Sequence, residues 1–372
     1  MIGRTGNRRS AHGKTRLPGG TDLQRISVVI IGLNVQQCLD ECITSVLAAD
    51  YPQECIEIIY VDGGSMDRSM EIARSYGRVR IIELQDPHPT PGRGRNAGMA
   101  AASSPIIQFL DADTLLEPGW FRAALPHLRG KTAAVAGRVR ERYPNKNFYH
   151  LIGNMEWGIS AGKNGHLFTE GPAGVFGGMV LVRKDAIEQA GGYDGSLVAG
   201  EDPDLSYRLR RQGWVIYRTT ADMAVHDLNM TTFRQYARRA FRSGHAYAQI
   251  GLRYRRERER FFLRPLIRIC VSALAPAAVI TLGALLKRYR PAVALAGLLA
   301  GRPFLRIYRF MDSPRDLPSA ALYCAHLAFA VYPQFLGVLR YLLTIITGVP
   351  LQNRGYQAGG NRDNGGPRSG GF

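Results

Sequence analysis

From residue 26 to residue 113 the chain alternates between two apolar rhythms. The segments "ISVVIIGLN" (26–34), "IEIIYVDGG" (56–64), "VRIIEL" (79–84) and "PIIQFLDAD" (105–113) are short, nearly continuous apolar runs, the pattern of strands covered on both faces. Between them, "LDECITSVLAADY" (39–51), "DRSMEIARSYG" (67–77) and "GRNAGMAAAS" (94–103) have helical period, the second opened by Asp67 and closed by Gly77. The β-α-β-α-β-α-β order predicts an α/β fold, a doubly wound and mostly parallel sheet with helices on both faces. Such sheets bind ligands beyond the carboxyl ends of their strands. Asn34, Asp62, Asp111 and Asp113 all fall at such ends.

Near residue 262 the pattern changes. "ICVSALAPAAVITLGALL" (269–286) runs 18 residues without a charge, and "LPSAALYCAHLAFAVYPQFLGVL" (317–339) runs 23 with His326 as its titratable group. Both approach or reach the length of a membrane span. "PAVALAGLLAG" (291–301) and "YLLTIITGVPL" (341–351) are shorter, so two to four membrane segments are expected. The basic stretches 253–264 and 302–315 favour the cytosolic side. "KRYR" (287–290) would then form an outer turn against that bias, a conflict that a re-entrant or interfacial first pair removes. The ends differ again. Residues 1–24 are expected to form a disordered basic arm and 352–372 a disordered Gly-rich tail, flanking a globular unit at 25–252 and a membrane-associated unit at 253–351.

Charge narrows the partners. Lys and Arg number 48 against 30 Asp and Glu, a formal charge of +18, which favours an anionic partner such as nucleic acid, anionic lipid or a diphosphate. No stretch interleaves aromatic with basic residues as nucleic-acid binders do, so nucleic acid is not expected. The five cysteines are scattered without CxxC or zinc spacing, the usage of reduced thiols in a cytosolic compartment.

The candidate chemistry is acidic. Asp111 and Asp113, one residue apart in "FLDADTLLEPGW", repel each other unless a cation or several donors lie between them. Mg2+ or Mn2+ suits such oxygen ligands and leaves positions open for substrate phosphates; a plain turn after a strand is the alternative. "GEDPDLSYRLRRQGW" (200–214) places Glu201 and Asp202 at a helix start, where a carboxylate is stabilised and can accept a proton from a hydroxyl. Arg95 stands at the positive end of another helix, an unfavourable place for a cation unless an anion is near.

The ordered run "IGLNVQQCLDECITSVL", "VDGGSMDRS", "GRGRNAG", "FLDADTLLEPGW", "FGGMVLVRKDAIEQAGGYD" and "GEDPDLSYRLRRQGW" resembles the family 2 glycosyltransferases of GT-A fold, among them bacterial enzymes of exopolysaccharide and cell-surface glycan synthesis. The resemblance covers roughly residues 25–250. It implies an inverting transfer from a nucleotide-diphosphate sugar to an acceptor hydroxyl, with a divalent metal. It further implies that Asn34, Asp62, Arg95 and Asp111 bind the nucleotide, that Asp113 with Asp111 binds the metal, and that Asp202 is the base with Glu201 orienting the acceptor. His226 is similar in position to a histidine that approaches the metal in some members; a structural histidine is the alternative. The lack of side chains at Gly177 and Gly178 would permit close backbone approach to a sugar, in a stretch where specificity often resides. Processive members carry Gln-x-x-Arg-Trp after the base, whereas "QYARRAF" has Gln235, Arg238 and Arg239 without tryptophan, which argues for a single addition. Together with the apolar segments, this predicts a multi-pass protein of the cytoplasmic membrane with its catalytic domain in the cytosol and a lipid-linked acceptor. A catalytically inactive member acting as a membrane scaffold or lipid- and anion-binding protein is the second possibility.

Overall fold

The computed structural model describes residues 14–16, 22–161, 170–308 and 317–351. Most of the arm expected at 1–24, and all of the tail expected at 352–372, lie outside the described residues. Within the former, β1 (Lys14–Arg16) and β2 (Asp22–Gln24) pair antiparallel, an ordered ribbon where the composition suggests an irregular arm.

The central sheet grows from the four predicted strands. β3 (Ile26–Gly32) pairs in parallel with β4 (Ile56–Asp62) and with β6 (Ile106–Asp111), and β5 (Val79–Glu83) extends the parallel edge beyond β4. Successive residues of β3 feed opposite cores: Val28 and Ile30 pack on one face and Val29 on the other, all fully buried. Burial of both faces is why these runs read as continuously apolar rather than alternating. The helices α1 (Leu39–Leu47), α2 (Ser69–Ser75) and α3 (Pro91–Ala101) supply the crossovers. α3 begins at Pro91, ahead of the predicted Gly94. Thr90 caps it by accepting the Arg93 amide at 3.3 Å, and Pro91 suits the first helical turn.

The other half of the sheet is mixed. β8 (Thr132–Glu141) and β11 (Val215–His226) are parallel to each other. β10 (Val180–Arg183) joins β6 to β8, antiparallel to both, while β7 (Thr114–Leu116) and β9 (Gly171–Ala173) pair antiparallel with β11. The order is β5-β4-β3-β6-β10-β8-β11-β7, with β9 on β11, so the sheet is less parallel than its first half predicts. α4 (Trp120–Ala124), α5 (Phe148–Ala161), α6 (Lys184–Gln189) and α7 (Glu201–Arg211) pack around it.

Four helices follow: α8 (Phe233–Arg253), α9 (Leu263–Leu285), α10 (Tyr289–Tyr308) and α11 (Leu317–Thr347). α9, and residues 321–347 within α11, are long and apolar enough to cross a membrane; the apolar part of α10, Tyr289–Leu299, is shorter. Among the described residues there are two candidate spans, the lower end of the expected two to four. α8 is held to α7 by Asp204, which is fully buried. Asp204 accepts from Arg208 Nε at 2.8 Å, Arg253 Nη1 at 3.0 Å and the Tyr254 hydroxyl at 2.8 Å. This acid of the first turn of α7 is therefore also a tie between helices.

α3 rests on β3 through Gly98, where an added Cβ would come within 2.2 Å of Val29 Cγ1. Replacing a mid-helix glycine by alanine ordinarily gains roughly 1 kcal/mol. Overpacking a closed core costs about 1–3 kcal/mol and should prevail here. Gly98→Ala is expected to lower the midpoint of urea unfolding, and a raised midpoint would contradict this packing.

Candidate active site

Sheet register gathers the acids. Gly32 of β3 lies opposite Asp62 of β4, and Ile31 lies opposite Asp111 of β6, so both aspartates reach the same edge. β11 enters from the other side and pairs His226 with Thr114, one residue beyond Asp113. Above this edge is a cleft of about 2110 Å³, lined by Asn34, Arg95, Asp111, Asp113, Glu201, Asp202 and His226 among others.

Arg95 is the centre of one wall. Its side chain is 2% exposed, yet it meets three carboxylates. Nη2 donates to Asp111 Oδ1 at 2.8 Å, Nη1 donates to Glu201 Oε1 at 2.9 Å, and Nη1 stands 3.6 Å from Asp202 Oδ1. The Tyr193 ring lies 5.5 Å from the guanidinium carbon. Here are the anions that a cation at a helix start requires, and each charge offsets the desolvation of the others. Gly178 belongs to the same contact: a Cβ there would fall 2.5 Å from Arg95 Nη2 and 2.8 Å from Asp111 Oδ2. Beside Gly177, by contrast, no described atom lies within 4 Å of the equivalent position, leaving room for a ligand.

Glu201 and Asp202 owe their place to Gly200, which caps α7 with φ at +86° and faces Ile250 of α8 so closely that a Cβ would meet it at 2.7 Å. Burial raises the Asp202 pKa; Arg95 opposes this and the Glu201 and Asp111 charges add to it, leaving the group at about 8. Its Oδ1 has no hydrogen bond among the described residues. Burial likewise raises Asp111, against the pull of Arg95.

The facing wall behaves differently. Asp113 Oδ1 is 3.4 Å from His226 Nε2 and accepts no hydrogen bond among the described residues. Burial works against both charges, but their attraction prevails: Asp113 is lowered and His226 raised. Arg239 of α8 adds its field to Asp113. Asp113 and His226, with one buried Asp113 oxygen short of a donor, offer ligand atoms that a divalent cation such as Mg2+ or Mn2+ could take. Among the described residues the three whose ligand atoms all lie within 4.8 Å of one another are Glu141, His150 and Asp227, the last of them next to His226 in the chain.

Asp62 and Asn34 sit at the edge of this geometry. Asp62 accepts from the Tyr60 hydroxyl at 2.9 Å, the amides of Gly64 at 2.9 Å and Ser65 at 2.7 Å, and the Ser65 hydroxyl at 2.6 Å. Four donors fill its acceptor positions and turn the carboxylate into the loop 63–66, behind the cleft wall. Asn34, with φ at +55°, secures the same loop by accepting the Met66 amide at 2.8 Å while lining the cleft itself. Arg239 belongs to the basic "QYARRAF" stretch that the sequence singles out, whereas Tyr193 carries no local signal for its place beside Arg95. Nor does the buried Glu141–His150 pair, whose Nδ1–Oε1 contact is 2.7 Å. Glu141 also accepts the Leu228 amide at 3.2 Å, fixing the chain just beyond His226.

Residues 27–191 match the family described as Glycosyl transferase family 2. The chain is 26% identical over 246 residues to glycosyltransferase AglE of Haloferax volcanii, covering 64% of this chain and 77% of that protein. It is 28% identical over 251 residues to the pre-mycofactocin glycosyltransferase of Mycobacterium tuberculosis, covering 64% of this chain and half, 50%, of that longer protein. Its fold is similar to that of the mannosyltransferase PcManGT from Pyrobaculum calidifontis, solved in complex with GDP-Man and Mn2+. There the TM-score is 0.56 and the identity 16%, over 86% of this chain and 87% of that one.

Arg95→Ala is expected to lower folding stability by roughly 3–5 kcal/mol, because it strands buried acids without their cation. Chemical denaturation reads this directly, and a loss below about 1 kcal/mol would show that the cluster does not depend on the guanidinium.

Proposed function

The chain carries a family 2 glycosyltransferase domain, and on that premise we propose an inverting, metal-dependent enzyme. It moves a sugar from a nucleotide-diphosphate donor to a hydroxyl of a lipid-linked glycan at the cytoplasmic face of a membrane. The observation that carries this is the two-walled cleft: a base of raised proton affinity beside Arg95, and a cation-fitting pair, Asp113 and His226, opposite.

Asp113, with Asp111 and His226, would hold the divalent ion, which when bound neutralises charge on the departing diphosphate. The remaining work belongs to side chains. Asp202 accepts the proton of the acceptor hydroxyl as that oxygen bonds the anomeric carbon and the bond from that carbon to the diphosphate oxygen breaks. Attack from the face opposite the leaving group inverts the anomeric centre. Glu201 and Asp111 keep Arg95 in place and raise the proton affinity of Asp202 through their charge. Asn34 and the loop latched by Asp62 border the nucleotide.

Support for an amphiphilic acceptor comes from the far rim. Arg234, Arg238 and Arg242 of α8 line the cleft together with Pro333 and Leu336 of α11 and Leu351 beyond it. A phosphate-bearing head suits the arginines and a hydrocarbon tail suits the apolar lip.

Detergent-solubilised protein, supplied with a panel of nucleotide sugars and Mn2+ or Mg2+, is expected to release one nucleoside diphosphate. Chelator or Asp113→Ala should abolish release, and Asp202→Asn should slow transfer by about 100-fold or more. Metal-independent release would remove the cation from the scheme. No release from any donor, even with bacterial lipid extract present, would favour an inactive scaffold.

Asp202 must be unprotonated to act, so kcat/KM should rise with pH through a limb near 8 and fall away below it. Glu201→Gln removes one of the charges that raise this group and should move the limb to lower pH; an unmoved or raised limb would place the titration elsewhere.

A further inference from the structure

We infer that α11 lies flat on the membrane surface as the lip of the catalytic cleft, rather than crossing the bilayer as its length and hydropathy suggest. The inference rests on the membrane association proposed above and specifies its geometry.

Two observations bear on it independently. The first is what α11 is fastened to. It runs alongside α8 in the same direction: Phe329 meets Phe233 at 5.4 Å between ring centres, and His326 meets Tyr236 at 4.9 Å. Further along, Tyr341 meets His245 at 5.2 Å. At the centre the two backbones almost touch, since a Cβ on Gly244 would fall 1.9 Å from the Gln334 carbonyl oxygen and one on Gly337 would fall 2.0 Å from that of Phe241. α11 is thus bound to α8 over most of α8's length. Yet α8 cannot enter hydrocarbon. Arg234, Arg238, Arg239 and Arg242 lie along it and line the aqueous cleft, and each arginine at the bilayer centre would cost about 2.5–3.5 kcal/mol or more. A helix paired along an aqueous helix stays at the depth of that helix.

The second observation is the distribution of exposure around α11. From Leu322 to Leu339 the exposed side chains Leu322, Phe329, Tyr332, Leu336 and Leu339 recur at spacings of three, four or seven residues and form one stripe, which widens around the last turns, where Leu342, Leu343, Ile345 and Ile346 are all exposed. Cys324, His326, Ala330 and Val338, on the other side, are buried. A crossing helix would offer apolar surface to lipid along its whole girth except at one seam. α11 and α8, with α9 and α10 packed beside them, instead present an apolar outer face and a cationic inner one, the composition of a structure lying in the interface. Length agrees. The 31 residues of α11 exceed the roughly 20 that a span requires, and its final turn leads to Val349, Pro350 and Leu351, which line the cleft.

The occupant of the stripe is therefore the outer few ångströms of one leaflet, and the cleft opens at the level of lipid headgroups. An acceptor can then present its head to the arginines without leaving the bilayer.

Depth-dependent quenching tests this geometry. A fluorophore is attached in turn at L322C, L336C and I346C, in full-length protein whose native cysteines are replaced by alanine and which retains donor hydrolysis. The protein is reconstituted in liposomes containing anionic lipid, with spin labels on either the headgroup or the middle of the acyl chain. All three sites should be quenched to a similar extent, several-fold more by the shallow label than by the deep one. If α11 crosses, Leu322 and Ile346 are separated by about 36 Å of helix. The L336C site would then be quenched most by the deep label and the two ends by the shallow one, which overturns the inference. Absence of quenching in protein that floats with the liposomes would mean that another surface, such as a second copy, covers the stripe. That outcome also overturns it. Failure to float at all would defeat the membrane association itself, separately from the orientation of α11.

Discussion

A single buried guanidinium sets the terms for the rest of the site. Arg95 reaches its position because α3 is capped at Thr90 and packed on β3 through Gly98, and it finds there one acid from a strand end and two from the start of α7. None of those four charges could be buried alone at acceptable cost. Together they fix the distance between the strand edge and α7, and so the width of the cleft. The arrangement also divides the acids by function. Asp111 and Asp202 beside Arg95 have raised proton affinity, while burial of Asp113 is outweighed by His226 beside it, which holds its proton affinity down. In the proposed scheme proton acceptance and cation binding require opposite electrostatic settings, and Asp202 and Asp113 differ in that sense.

The strand ends were legible because burial on both faces writes an unbroken apolar run, and polarity resumes where the sheet meets the cleft. The positions of Asn34, Asp111 and Asp113 follow from that rule alone. The start of α3 was less legible: Thr90 and Pro91 form a start signal, but the glycines after them lower the apparent helical propensity and displaced the predicted boundary to Gly94. Side-chain direction was not legible at all. Asp62 lies where expected in the chain, but its carboxylate turns back to four donors of its own loop. Gly178 similarly answers to Arg95 and Asp111, not to open space. The second half of the sheet was the least readable part, because antiparallel β10 and the reach of β11 to Thr114 depend on pairings between distant segments.

The apolar C-terminal helices are not an appendage to this machinery. Gly200, at the foot of the proposed base, leans on Ile250 of α8, and Asp204 ties α7 to Arg253 and Tyr254 at the end of the same helix. α8 is in turn locked to α11 at Gly244 and Gly337. One helix thus contacts the turn that carries Asp202, lines the cleft with arginines and is packed against the apolar α11, so that on the proposed membrane association rigid packing sets the height of the cleft above a bilayer. That coupling gives a physical reason why a glycosyltransferase with soluble chemistry should keep its apolar helices so close to its acids.

The separation of roles between the two walls is tested most directly by electron paramagnetic resonance of Mn2+ titrated into the protein with a nucleoside diphosphate, comparing Asp113→Asn with Asp202→Asn. Asp113→Asn should lose the bound-Mn2+ signal, while Asp202→Asn should retain it at near wild-type affinity although transfer is lost. Equal loss of the signal in both variants would contradict the division, because it would make Asp202 part of the cation site rather than the group that takes the proton.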